Sequence, residues 1–142
     1  MEAAEFACAC EKEIEELHQF FVAWFCGTVP ETDTAWARVE DALAPRFVLI
    51  APSGRRFDRD EILAGIRSRY GTHDPGVAFD IWTLDYQARR VAAGQALVTY
   101  EEWQRRDGEE RGRLSTAVFV LDESAPNEVC WLHVHETWLP TE

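Results

Sequence analysis

Basic residues are scarce in this chain of 142 residues: 14 lysines and arginines stand against 26 aspartates and glutamates, a formal net charge of −12 at pH 7. A field of that sign repels phosphate backbones, and no long basic run offsets it locally, so no nucleic-acid partner is expected. Cysteine is sparse too. Cys8, Cys10, Cys26 and Cys130 are irregularly placed, Cys8-Ala9-Cys10 is neither a thioredoxin nor a zinc spacing, and no second pair completes a metal knuckle. Free thiols in a reducing cytosol are the plain expectation. No apolar run approaches the ~20 residues that cross a bilayer, and Met1-Glu2-Ala3-Ala4-Glu5 lacks the basic stretch of a secretion signal. A soluble cytoplasmic protein with no membrane partner follows as the expectation. Repeats, linkers and low-complexity stretches are also missing.

What the chain does have is apolar and aromatic mass. At 46% hydrophobic and 28% charged it reads as globular, and its length suits one domain that buries about two-thirds of its unfolded surface. Six tryptophans and eight phenylalanines call for a large aromatic core or an aromatic-lined cavity. Residues 10–26 place Ile14, Leu17, Phe21 and Trp24 on one helical stripe, ended by Gly27 and Pro30. Residues 34–44 fit a shorter helix closed by Pro45, and Phe47-Val48-Leu49-Ile50 fits a buried strand before the Pro52-Ser53-Gly54 turn. Asp58 and Glu61 form a capping box for a third helix that ends at Gly71.

From about Val77 the period changes to two. Residues 79–86 and 92–104 read as strands joined near Arg89-Arg90, Asp107-Gly108 as a hairpin turn, and residues 114–121 and 130–140 as the last strands. Segregated helices followed by long strands give an α+β fold, a curved antiparallel sheet packed on three N-terminal helices.

The last strand carries the densest chemistry. Strict alternation puts Trp131, His133, His135 and Thr137 on one face. Among acids, Glu101 and Glu102 are adjacent on a strand, so only one of them faces inward. Trp103 leans the choice toward Glu101, without deciding it. A carboxylate desolvated beside aromatics, with an imidazole nearby, could move a proton or activate water without a cofactor. The plain alternative is a hydrogen-bonded network that orders the core. His133 and His135 also have the spacing of two metal ligands, with Glu101, Glu102 or His18 as a third. No second metal-like motif accompanies them, so neither metal nor cofactor is expected. His18 reads as a boundary residue of the first helix, and His73 as an exposed residue in a loop able to cover a pocket mouth.

The order of these elements resembles the nuclear transport factor 2-like superfamily, in its SnoaL-like branch with domain of unknown function 4440. The residues that carry the likeness are Ile14-Glu15-Glu16-Leu17-His18-Gln19-Phe20-Phe21, Phe47-Val48-Leu49-Ile50 with Gly54, Phe57-Asp58-Arg59-Asp60-Glu61-Ile62, Ala96-Leu97-Val98-Thr99-Tyr100, and Trp131 with His135 and Thr137 in the closing strand. The resemblance implies one SnoaL-like domain over residues 1–142, with residues 1–9 frayed or disordered. It implies a cystatin-like cone with an apolar cavity at its wide end, and a homodimer through the sheet.

In such a cone the pocket would draw on Trp24, Phe47, Tyr70, Trp82, Tyr86, Tyr100, Trp103, Thr116, Trp131 and Thr137. His135, Glu101, Glu102 and His133 would be the catalytic candidates. The expected function is binding of a small apolar or carbonyl-bearing molecule. The alternatives are a cofactor-independent isomerase, dehydratase or polyketide cyclase using a Glu/His pair, and an assembly domain without ligand.

Overall fold

A computed structural model describes residues 1–74 and 79–141. Val77, where the two-residue period was expected to begin, and the Pro75-Gly76 part of the supposed pocket-covering loop lie outside the described residues.

Helix α1 runs Ala3–Phe25, starting seven residues earlier than its expected limit. Residues 1–9 are therefore not a frayed end: Phe6 and Cys10 prolong the apolar stripe by two turns and are buried with Ile14, Leu17 and Trp24. Helix α2 is Asp33–Glu40, its N-cap Thr32 accepting a bond from the Ala35 amide. It stops short of residue 44 because the chain after it straightens into strand β1, Leu43–Ile50. Strand β2 (Arg56–Asp58) turns back on β1, and helix α3 (Arg59–Arg67) follows with both bonds of the Asp58/Glu61 capping box formed.

Four long strands complete the sheet: β3 Asp80–Ala92, β4 Gln95–Arg106, β5 Glu109–Leu121 and β6 Val129–Trp138. The β3–β4 hairpin turns at Ala93-Gly94, not at Arg89-Arg90. Ala93 and Gly94 take φ of 53° and 75°, as Asp107 and Gly108 take 50° and 81° in the next hairpin. Positive φ at both central residues is what a two-residue hairpin of type I′ requires.

Strand order is β2-β1-β6-β5-β4-β3. The sheet is mixed rather than wholly antiparallel, because β6 returns to lie parallel to β1. Helix α1 lies across the sheet against β3, β4 and β6, its stripe sharing one buried core with Val98, Ala117, Phe119 and Val134.

A buried polar knot locks that packing. Glu13 is fully buried, and its carboxylate accepts two bonds from Arg38 (2.8 and 3.1 Å), one from the Trp131 indole (3.0 Å) and one from Asn127 (2.9 Å). One side chain thus ties α1 to α2, to β6 and to the turn before β6.

Candidate functional site

Between α1, α3 and the inner sheet face lies a cavity of about 300 Å³, the lower end of the range typical of small-molecule pockets. Its walls are mostly apolar, with Leu17, Phe21, Phe47, Leu49, Ile62 and Ile66 among them. One wall is charged. The inward row of β4 reads Tyr100, Glu102, Gln104, Arg106, passing from buried floor to exposed mouth. Across the ladder, Glu102 pairs with Arg113 of β5, and Ser115 of β5 lies between Tyr100 and Glu136 of β6. His18 of α1 reaches this wall from the other side.

The hydrogen bonds decide the charges. His18 Nδ1 lies 2.6 Å from the Ile14 carbonyl oxygen and Nε2 lies 2.8 Å from Glu102 Oε1. Both partners only accept, so both ring nitrogens carry protons and His18 is an imidazolium. Burial alone would lower its pKa, but the bond and charge of Glu102, with the Ile14 carbonyl and Glu136, raise it. Burial likewise pushes the Glu102 carboxyl up, and His18, Arg113 and the 2.8 Å bond from Gln104 to Oε2 bring it down to about 2.

Glu102 and His18 are thus a closed pair, ionised and fully bonded. Glu136 differs. Arg113 donates to its Oε1 at 3.1 Å, and among the described residues Oε2 takes no bond. Burial first, then the Glu102 charge, lifts its carboxyl to about 7 despite Arg113. Tyr100 stays a neutral phenol, held up by burial first and by the Glu102 and Glu136 charges. A carboxyl poised near neutrality beside a cavity can accept or deliver a proton.

Of the residues expected in the pocket, Phe47, Tyr100 and Trp131 line this cavity, and of the catalytic candidates Glu102 does. The others stand elsewhere. Trp24 is fully buried behind the wall, donating to the Ile66 carbonyl, and Tyr70 packs edge-on against it with its hydroxyl on the Val29 carbonyl. Tyr86 reaches α1 at the Ala7 carbonyl. Trp82 and Trp103 are cross-strand partners on the outer face, where Trp103 donates to Glu101 at 3.0 Å. Glu101 is therefore the outward acid, and the lean toward it is corrected.

His133, His135, Thr116 and Thr137 also lie on the outer face, so His133 and His135 are not part of this site. The cause is a bulge: Val118 pairs with His133 while Phe119 pairs with Trp131, leaving Leu132 unmatched. An extra residue reverses the alternation, so Trp131 points inward with Val134 and Glu136 instead of with the histidines. His18 is buried, not at a boundary, and His73 is half-buried, stacked on Phe79 at 3.9 Å.

Glu136, Gln104 and Glu13 take no site role from the sequence alone, and Arg113 reads there as part of a solvated hairpin tip. Alternation counted from Val134 would have found Glu136, and His18 already sits four residues from Ile14 on the apolar stripe.

Solved structures share this fold over nearly the whole chain. An NTF-2 like protein of unknown function from Pseudomonas aeruginosa aligns with a TM-score of 0.81 at 24% identity, covering 94% of this chain and 100% of that one. An NTF2-like protein from Cytophaga hutchinsonii aligns at 0.64 and 14% identity, over 98% and 100%. A CaMKII hub from S. rosetta aligns at 0.62 and 12%, over 98% of each chain. At these identities the likeness is one of fold: an α+β cone of the nuclear transport factor 2-like kind. No curated protein sequence matches the chain. The family described as sucrose-6-phosphate phosphohydrolase C-terminal matches residues 10–140, from Cys10 in α1 to Pro140 beyond β6, and the chain belongs to it.

Proposed function

We propose that this chain binds a small, largely apolar organic molecule in the cavity beneath α1 and α3, in the manner of a SnoaL-like domain. The observation that carries the reading is the asymmetry of that cavity: apolar walls facing one polar wall of His18, Glu102, Arg113 and Glu136. Apolar walls supply affinity and convergent polar groups fix orientation. Proton transfer is a second reading, favoured by the single carboxyl with a pKa near neutrality. In it Glu136 exchanges a proton with bound ligand, while Glu102–His18 holds the local field. This is the acid–base alternative with His18, not His135, as the imidazole.

A homodimer and a cytosolic setting belong to the same reading. Leu84, Leu97 and Leu114 are exposed apolar residues of the outer sheet face, and such residues suit contact with a second copy. All four cysteines are free thiols, as in a reducing compartment.

Gly65 supplies the test. It lines the cavity on α3, and a Cβ built there meets nothing within 4 Å. Gly65→Leu should fold at least as well, since leaving glycine in a helix gains about 0.5–1 kcal/mol, while filling the space. Thermal-shift screening against apolar ketones, acids and aromatic lactones should find ligands that stabilise the wild type and leave Gly65→Leu unshifted. Equal shifts in both proteins would remove the cavity from the account.

A further inference from the structure

The cavity's mouth holds more positive charge than its fold requires. Arg69 of the turn after α3, Arg106 of β4 and Arg113 of β5 line one end of it, in a chain whose net charge is −12. None of the ion pairs among the described residues involves Arg69 or Arg106. The acids that line the cavity, Glu61, Glu102 and Glu136, already hold partners. Glu102 is bonded to His18 and Gln104, Glu136 Oε1 takes Arg113, and Glu61 closes the capping box of α3. Arg113 Nε is buried with no hydrogen-bond partner, 3.9 Å from Glu102 Oε2.

Both mouth guanidiniums are shelved on aromatic rings. Arg69 lies 5.3 Å from the centroid of Phe25, with Nε on the Gly65 carbonyl at 3.2 Å, and Arg106 lies 5.9 Å from that of Phe79. A ring face steadies a guanidinium from the side and leaves in-plane N–H donors free. The cations also feel one another. Burial foremost, then Arg106 and Arg113, depress the Arg69 pKa, and His73 at the rim is lowered by burial, then by Arg106 and Arg69, with Asp107 opposing. Arg113 has Glu136 as its counterion, but like charges held close together, two of them outside any ion pair among the described residues, are costly unless something negative joins them.

We infer that Arg69, Arg106 and Arg113 form a seat for the oxyanion of an organic acid or phosphate monoester, whose apolar body occupies the rest of the cavity. This rests on the cavity being a ligand site and adds the class of ligand. The guanidinium forks match a carboxylate or phosphate through paired N–H···O bonds, and the apolar walls favour a hydrocarbon or aromatic body over a bare sugar.

Isothermal titration with four matched probes tests it: 4-phenylbutyrate, 4-phenylbutyl phosphate, the neutral 4-phenylbutyramide and the cationic 4-phenylbutylamine. At least one anion should bind about tenfold or more tighter than the amide, as charge-assisted bonds are worth at least that. The amine should bind weakest. Whichever anion binds tighter identifies the head group. Arg69→Gln and Arg106→Gln, both at exposed positions, should each cost about tenfold for that anion and leave the amide unchanged. Equal affinity for anions and amide, or full anion affinity in both variants, overturns the inference and leaves the cavity reading intact. No binding of any probe at millimolar concentration overturns both.

Discussion

His18 Nε2 lies 2.8 Å from Glu102 Oε1, a bond between two buried side chains 84 residues apart in the chain. It joins the helix that fills the cone to the sheet that wraps it, and it sets the charge of the cavity wall. Glu102→Gln removes the carboxylate that keeps His18 protonated. The expected result is a His18 pKa that falls below its ordinary 6.5, read by NMR titration of the ring. Breaking a buried pair from one side should also cost about 3 kcal/mol in urea unfolding.

The cluster also writes a pH signature. Glu102 has a depressed pKa, so its stabilisation is present above 4.5 and is lost as pH falls toward about 2. His18 has a raised pKa, so its share is full below 6.5 and is lost as pH rises through its folded value. Glu136 is raised from 4.5 to about 7, so the folded state holds this proton more tightly and stability drops as pH climbs across that interval. Glu136→Gln should therefore flatten the decline between pH 4.5 and 7, a difference from wild type on the order of 2 kcal/mol. Urea midpoints measured at steps of pH check it. Parallel curves for both proteins would show that Glu136 titrates normally.

Glu13 carries the other buried knot. Glu13→Ala leaves Arg38 and the Trp131 indole without their acceptor, and a loss of about 3 kcal/mol is expected by chemical denaturation. Because Trp131 lines the cavity, its fluorescence should shift in the folded variant too. Unchanged stability would mean that the knot is dispensable.

On the outer face, Trp103 lies across the backbone of Gly112. A Cβ at that glycine would stand 2.8 Å from the indole and 2.9 Å from Leu139, so Gly112→Ala should destabilise by about 1–3 kcal/mol through overpacking. The same change should leave cavity binding intact, which a ligand thermal shift checks.

Helical periodicity was the most legible signal. The stripe of Ile14, Leu17, Phe21 and Trp24, the Asp58/Glu61 capping box and the Asp107-Gly108 turn all formed as their local chemistry demands. Alternation in strands failed where the backbone departs from strict period two. One bulged residue, Leu132, was enough to send His133 and His135 outward and bring Glu136 inward. At Glu101-Glu102 the indole misled, because Trp103 finds its apolar contact on the outer face against Gly112 and Trp82. Arg105-Arg106 and Arg111-Gly112-Arg113 flank the Asp107-Gly108 turn as a basic tip that reads as a solvated hairpin end, and only the folded chain brings Arg106 and Arg113 to Arg69.

The location of the site is the central claim, and an amide NMR titration with the tightest-binding probe tests it most directly. Shifts should concentrate on Phe47, Tyr100, Glu102 and Glu136 and leave the outer-face histidines His133 and His135 still. Shifts gathered on His133, His135, Thr116 and Thr137, with the cavity residues unmoved, would contradict the account.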